Sequence, residues 1–267
     1  MRITGIEKVE KGYGVIVDID RCIGCRACQL ACKMWNNLPA EEISFAGSLT
    51  SPQWLTANTW KIVLFYEGTE LIPLPFQCMH CRDPPCALAC PVSAIVISDE
   101  GAVVINSDDC LGIGNCLRAC PFNVPQRGSD GRFYKCTFCV DRIQHGLEPA
   151  CVEVCPTRVF IFAPIDEIIS IARKALEEER YVYGIDLDSY IGGGTRWIYI
   201  ASKRKYEVLE RYLPKKTRKD LDLHTAFFVN LKRRLRVIAI ISMLNRAIRK
   251  RLKTISIAIH NIIRSRY

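Results

Sequence analysis

The sequence predicts an α+β fold of two nested modules, and three observations carry that reading. All fifteen cysteines fall into four groups of recurring spacing. Short apolar runs with strand-like alternation lead into and join these groups. A longer run of strong helix formers with helical period follows the last group. The groups are Cys22, Cys25, Cys28 and Cys32 (CIGCRACQLAC); Cys78, Cys81, Cys86 and Cys90; Cys110, Cys116 and Cys120; and Cys136, Cys139, Cys151 and Cys155.

In chain order, Tyr13 to Asp18 (YGVIVD) alternates like a strand and delivers the chain into the first cysteine loop. A short helix is expected to follow each fourth cysteine or lead into it. Residues 33 to 59 are rich in turn formers and read as an irregular insertion. Trp60 to Tyr66 (WKIVLFY) is the next strand, ended by Gly68. Ala94 to Ile97 and Ala102 to Ile105 flank the turn sequence SDEG and form a β-hairpin between the second and third groups. Ile165 to Glu179 is a helix, and Tyr190 to Ser202 (YIGGGTRWIYIAS) a glycine turn followed by a strand. The three glycines lack the lysine and helix context of a phosphate loop, so they read as a tight turn.

CxxCxxCxxxC is the ligand pattern of a cubane iron-sulfur cluster, in which three cysteines of one loop bind one cluster and the fourth binds its neighbour. A disulfide scaffold would show an even count, irregular spacing and a short secreted chain. A hairpin between two such loops is the layout of a two-cluster ferredoxin, so residues 76–125 form an inner module. The outer groups then pair with each other across it. The fold class is therefore two nested ferredoxin-like two-cluster modules with a β-hairpin, an irregular insertion and C-terminal helices. Its expected divisions are 1–75 with 126–163 (outer module), 76–125 (inner module), 164–225 (helix-strand extension) and 226–267 (basic tail).

Applying the pattern, one cluster takes Cys22, Cys25, Cys28 and Cys155, and its module mate takes Cys136, Cys139, Cys151 and Cys32. In the inner module one takes Cys78, Cys81, Cys86 and Cys120. The last set is one ligand short, because Ile113 stands where a second cysteine belongs and Cys90, Cys110 and Cys116 are left. Three thiolates suit a 3Fe-4S cluster, giving three 4Fe-4S clusters and one 3Fe-4S cluster in all; a 4Fe-4S cluster with a non-cysteine fourth ligand, or an empty site, is the alternative. Zinc could occupy Cys136, Cys139, Cys151 and Cys155 taken alone, but not easily the triplet Cys22, Cys25, Cys28. His80, inside CMHC, is expected on a loop facing solvent or a partner. Arg26 and Lys135 either tune a cluster by their charge or are surface residues. No Rossmann or Walker fingerprint occurs, and no histidine is paired with a nucleophile, so the sequence reads as a wire without its own catalyst.

Of 267 residues about half are apolar and a quarter charged, ordinary for a folded protein that can bury a core. The net charge of +9 is segregated. Residues 226–267 carry 11 Lys and Arg and no acid, while the remainder is close to neutral. This tail interleaves basic and aliphatic residues at helical spacing. It reads as an amphipathic helix on an anionic membrane surface or docked on a membrane subunit, with a nucleic-acid patch or partial disorder as competitors. No window reaches the roughly 18 apolar residues of a membrane span. The N-terminal residues MRITGIEKVEKGYG lack the apolar run of a signal peptide. The expected location is a peripheral, membrane-associated subunit.

Four stretches, CIGCRACQLACKMWNNLPAE, SPQWLTANTWKIVLFYE, FQCMHCRDPPCALACPVSAIV and YKCTFCVDRIQHGLEPACVEVCPT, carry a resemblance over about residues 12–200. The sequence resembles the iron-sulfur (beta) subunit of membrane-bound formate dehydrogenases, within the wider family of four-cluster subunits of molybdopterin or tungstopterin oxidoreductases. The resemblance implies single-electron relay between a pterin-dependent catalytic subunit and a membrane partner that reaches quinone, without nucleic acid. It implies that the outer module faces the catalytic subunit and the inner module the membrane side. Ile113 and the basic tail depart from the sixteen cysteines and C-terminal membrane helix usual in that subunit. The respiratory nitrate reductase subunit also lacks one cysteine in its third group, and wires of polysulfide, tetrathionate and arsenate enzymes are similar. A free polyferredoxin carrier and a zinc-stapled nucleic-acid binder are the competing classes.

Overall fold

The computed structural model describes residues 11–42, 47–185 and 194–213. The basic tail, the N-terminal decapeptide and the glycines at 192 and 193 lie outside them.

Strand β1 (Tyr13–Asp18) runs through a single 3-10 turn into the first cysteine loop, and helix α1 (Ala27–Trp35) carries Cys28 and Cys32. The insertion that follows has neither helix nor strand among its described residues up to β2 (Lys61–Glu67). It is tied down by polar contacts: Lys33 Nζ donates to the carbonyls of Pro39 and Asn58, both at 2.7 Å, and the Glu41 carboxylate accepts from Thr56 and Thr59. β2 pairs antiparallel with β3 (Leu71–Gln77), a strand the sequence pattern hides because it holds Pro73 and Pro75. Proline is tolerated there because β3 has a partner on one side only, so the missing N–H groups cost no ladder bond.

The inner stretch comprises α2 (Pro85–Ala89), the expected hairpin β4 (Ile95–Ile97) with β5 (Val103–Ile105), and α3 (Asn115–Ala119). A second small hairpin, β6 (Gln126–Arg127) with β7 (Phe133–Tyr134), precedes α4 (Val140–Gln144) and α5 (Ala150–Glu153). α2, α3 and α5 each lead into a fourth cysteine, Cys90, Cys120 and Cys155, as expected. The polypeptide then forms β8 (Phe160–Pro164), α6 (Ile165–Glu177), β9 (Tyr181–Tyr183), β10 (Trp197–Ala201) and α7 (Lys203–Tyr212).

The main sheet has the order β8-β1-β10-β9, with β1 parallel to β10 and antiparallel to β8. Its period-two alternation separates two cores. Ile16, Ile198 and Ile200 face α6, which contributes Ile165, Ile168, Ala172 and Ala175. Gly14 allows that approach, since a Cβ there would come within 2.8 Å of the Ile165 Cδ1 methyl. Val15, Val17, Trp197 and Tyr199 face the opposite way, toward β2, β3 and the cysteines. The apolar spacing of α6 is thus used up by the sheet, and the other face is left for the sites.

Asp20 locks the outer end of this sheet. Its carboxylate accepts from the backbone N–H and hydroxyl of Ser202 at the start of α7, both at 2.8 Å, and from Arg180 at 2.8 Å. Burial pushes its pKa up, but these donors and Lys205 outweigh burial and hold the carboxyl below its ordinary 3.8. A depressed carboxyl contributes stability that is complete above its unfolded pKa and is lost as pH falls through the folded value. Asp20→Asn is therefore expected to destabilise the loaded protein by about 1 kcal/mol near neutral pH, the scale of lost charged hydrogen bonds reduced by solvent screening at this half-exposed site. The gap to wild type should narrow below about pH 3.8, as read by anaerobic denaturant titration over a pH series.

Candidate metal centres

Antiparallel pairing places cysteines that are distant in sequence side by side. β1 leaves the sheet at the end where β8 enters it, with Val17 opposite Phe160, so Cys22 just after β1 meets Cys155 just before β8. The β4-β5 hairpin repeats this on a smaller scale. Ile95 lies opposite Ile105, and Cys90 and Cys110 stand five residues outside them.

Three hollows show the result. Cys22, Cys25, Cys28 and Cys155 line one. Cys78, Cys81, Cys86 and Cys120 line a second. Cys90, Cys110 and Cys116, with Ile113, line a third. The remaining cysteines meet where α1 packs on α5, and Cys32 feels the charges of Cys136, Cys151 and Cys139. Every set expected from the spacing is thus brought together. Neighbouring sets also touch electrostatically, through Cys28 with Cys151, Cys136 with Cys78, and Cys116 with Cys86. The sets therefore form a row: Cys22/25/28/155, then Cys32/136/139/151, then Cys78/81/86/120, then Cys90/110/116. The two inner sets are largely buried, whereas Cys25 at one end and Ile113 at the other are exposed.

One backbone device recurs in all four loops. The second residue after the leading cysteine is left-handed: Gly24 (φ 72°), His80 (φ 44°), Gly112 (φ 69°) and Phe138 (φ 63°). Such a turn lets the following residue swing back beside the first sulfur. The third loop keeps it although Ile113 replaces the cysteine, and a Cβ on Gly112 would run into the carbonyl oxygen of Gly131. That loop therefore has the shape of a ligand loop and lacks one sulfur only.

His80 corrects an expectation. It is fully buried rather than turned to solvent or a partner, and its ring stacks on Phe138 with centroids 4.8 Å apart. Its Nδ1 accepts from the Val103 N–H at 2.9 Å, which leaves the proton on Nε2. Burial, with Lys135 and Arg196 nearby, keeps its pKa well below the ordinary value, so the ring is neutral. The charged residues divide. Arg26 is half-buried, over the Phe65 ring at 4.9 Å, and donates to the Leu49 carbonyl. Lys135 is buried, and its ammonium donates to the carbonyls of Val103 and Cys136.

Lys61 was not singled out from the sequence, where it is the one charged residue of the WKIVLFY strand. It is fully buried, donates to Gln77 Oε1 at 2.6 Å, and lies 4.5 and 4.6 Å from the ring centroids of Phe160 and Trp197. Burial pulls its pKa down, but Cys151, Cys28, Cys136 and Cys32 together raise it above the usual lysine value.

The donor set fits iron-sulfur clusters. The buried thiols suffer desolvation first and then mutual repulsion, which push Cys86 and Cys120 up to about 12; such thiols ionise only against a metal's own charge. Backbone N–H groups are aimed at the sulfurs, from Phe138 to Cys136 and Phe133 to Cys110 at 3.4 Å, and from Val159 to Cys155 at 3.3 Å. Among the described residues no three ligand side chains converge as they would on a single ion. The sulfurs stand back around hollows instead, as a polynuclear core with its own sulfides requires.

Comparison with known proteins agrees. Residues 69–164 match a 4Fe-4S dicluster domain and residues 13–34 a 4Fe-4S binding domain. The nitrate-inducible formate dehydrogenase iron-sulfur subunit of Escherichia coli K12 is 37% identical over 210 residues, covering 75% of this protein and 71% of its own length. The formate dehydrogenase iron-sulfur subunit of Haemophilus influenzae is 36% identical over 219 residues, covering 78% and 70%. A subunit of the anaerobic dimethyl sulfoxide reductase of E. coli K12 is 37% identical over 159 residues, covering 58% and 75%. With its cysteine sets gathered into a row and these relatives spanning most of its length, the chain belongs to the family of formate dehydrogenase iron-sulfur subunits and is an electron-transfer subunit of an oxidoreductase.

Proposed function

We propose that the protein relays single electrons along four clusters, between a pterin-dependent catalytic subunit acting on formate and a membrane partner. The observation that carries this is the row itself, insulated in the middle and open at both ends. In this reading Cys22, Cys25, Cys28 and Cys155 hold one 4Fe-4S cluster and Cys32, Cys136, Cys139 and Cys151 a second. Cys78, Cys81, Cys86 and Cys120 hold a third. Cys90, Cys110 and Cys116 hold a 3Fe-4S cluster, since Ile113 offers no donor at the fourth corner. The clusters supply reversible one-electron chemistry when bound. The protein fixes their order, excludes water from the two central sites and directs N–H dipoles at the sulfurs.

The nested division into an outer module (1–75 with 126–163) and an inner one (76–125) belongs to the same proposal. It is supported by the β1-β8 and β4-β5 pairings, each of which closes one pair of sets. The names of the relatives support formate as the substrate of the catalytic partner; the dimethyl sulfoxide reductase relative supports a reductase wire as the second reading. The described residues contain no helix long and apolar enough to cross a membrane. The charge pattern of residues 226–267 supports peripheral attachment through that tail.

Three outcomes are expected. Formate added anaerobically to the complex purified through this subunit bleaches its visible cluster absorption; bleaching by another donor but not by formate refutes the assigned substrate. The air-oxidised protein shows one paramagnetic 3Fe-4S resonance, and Ile113→Cys removes it while raising iron by one atom per polypeptide; an unchanged spectrum counts against the three-thiolate site. Deleting residues 226–267 shifts the protein from the membrane pellet to the supernatant at moderate salt. Retention in the pellet would rule the tail out as the attachment.

A further inference from the structure

Lys61 and Lys135 are the two buried lysines among the described residues, 1% and 3% exposed, and neither has a carboxylate within ion-pair distance there. Removing an ammonium from water is costly unless opposite charge lies close by. Lys61 has a single acceptor among the described residues, the neutral Gln77 amide oxygen, supplemented by the faces of Phe160 and Trp197. Lys135 has two backbone carbonyls and the Cys78 sulfur. The balancing negative charge comes from the cysteine sets.

Their positions follow the row. Lys61 lies on β2, which packs on α1 with Cys28 of the first set and Cys32 of the second, and its positive charge favours the thiolates of Cys28 and Cys151. It enters on β2 opposite Gln77, while Phe160 beneath it lines the first hollow. Lys135 lines the hollow of the third set, bonds to Cys78 of that set and to the backbone of Cys136 in the second, and is the strongest favourable charge on Cys86. One lysine therefore sits in the gap between sets one and two, and the other in the gap between sets two and three. The gap between sets three and four holds no buried lysine among the described residues.

We propose that Lys61 and Lys135 are fixed counter-cations placed in the first and second gaps of the row, each shared by the two cluster sites it separates, and that they raise the reduction potentials of those sites. This rests on the reading of the cysteine sets as cluster sites. Four thiolates outweigh the charge of an iron-sulfide core, and reduction adds one more negative charge. A cation held in low dielectric favours the reduced form, as net charge near a cluster is known to set its potential. Sharing makes the second site the most affected, since it adjoins both lysines, and the fourth the least. The lysines act through the clusters and are positioning residues.

The test is a potentiometric titration of the loaded full-length protein, followed by electron paramagnetic resonance. Lys61→Met, which keeps length and removes charge, is expected to lower two of the four midpoint potentials, each by about tenfold in the reduction equilibrium, or about 59 mV for one electron. Lys135→Met should lower two, one of them in common with Lys61→Met. Lys61→Arg, which keeps the charge, should leave all four in place. Should Lys61→Met fail to fold, Lys135→Met decides on its own pair. Four unmoved potentials in a fully loaded Met variant, or a uniform fall of all four, overturn the assignment. Wild-type protein without acid-labile sulfide would instead overturn the cluster reading beneath it, so the two failures are told apart.

Discussion

A cubane cluster takes four thiolates, yet a loop of a few residues can aim only three at one point. That shortfall organises the whole molecule, because the missing sulfur must be delivered by a distant piece of polypeptide held at a fixed distance. β-pairing meets the requirement. The antiparallel β1-β8 pair sets Cys155 beside Cys22, and the β4-β5 hairpin sets Cys90 beside Cys110. The small β6-β7 hairpin, with Gln126 opposite Tyr134, turns the polypeptide back between Cys120 and Cys136. The strands are short because they need only hold a register. The four-stranded sheet, sealed by α6 on its far face, is the only extensive layer among the described residues.

The interior that results is unusual in its charges. Among the described residues it gathers buried thiols, and the buried cations include two lysines with no carboxylate within ion-pair distance beside the arginines Arg142 and Arg196. His80 adds a neutral ring where two left-handed residues from different cysteine loops, His80 and Phe138, stack on each other. Non-glycine residues hold that conformation at a cost of about 1–3 kcal/mol each. Here the surrounding rings of Phe162 and Trp197 brace Phe138 and offset that cost by burial.

Much of the site was legible in the sequence because cysteine spacing is set by cluster geometry and tolerates little drift. The four sets, the β4-β5 hairpin, β1 and α6 all followed from pattern. Lys61 did not, because a lone lysine at the start of an apolar strand ordinarily keeps its charge in water; only the fold shows that both faces of β2 are covered at that point. β3 was hidden by its prolines, and His80 was misread because loop position says little about burial when two cysteine loops close on each other. The shared left-handed residue left a trace in Gly24 and Gly112 but none in His80 and Phe138, where packing rather than residue type enforces the turn.

The nesting also has a temporal side. Ribosomes release a polypeptide from its N-terminus, and residues 76–125, with the β4-β5 hairpin, all emerge before Cys136. Cys22 and Cys25, although made first, meet Cys155 only once the last cysteine group has been made, and the strand that completes the sheet beside β1 arrives later still, at Trp197. The outermost set is thus the first begun and the last gathered. Until translation has passed β10, the exposed thiols near the N-terminus depend on whatever reducing protection the nascent polypeptide is given.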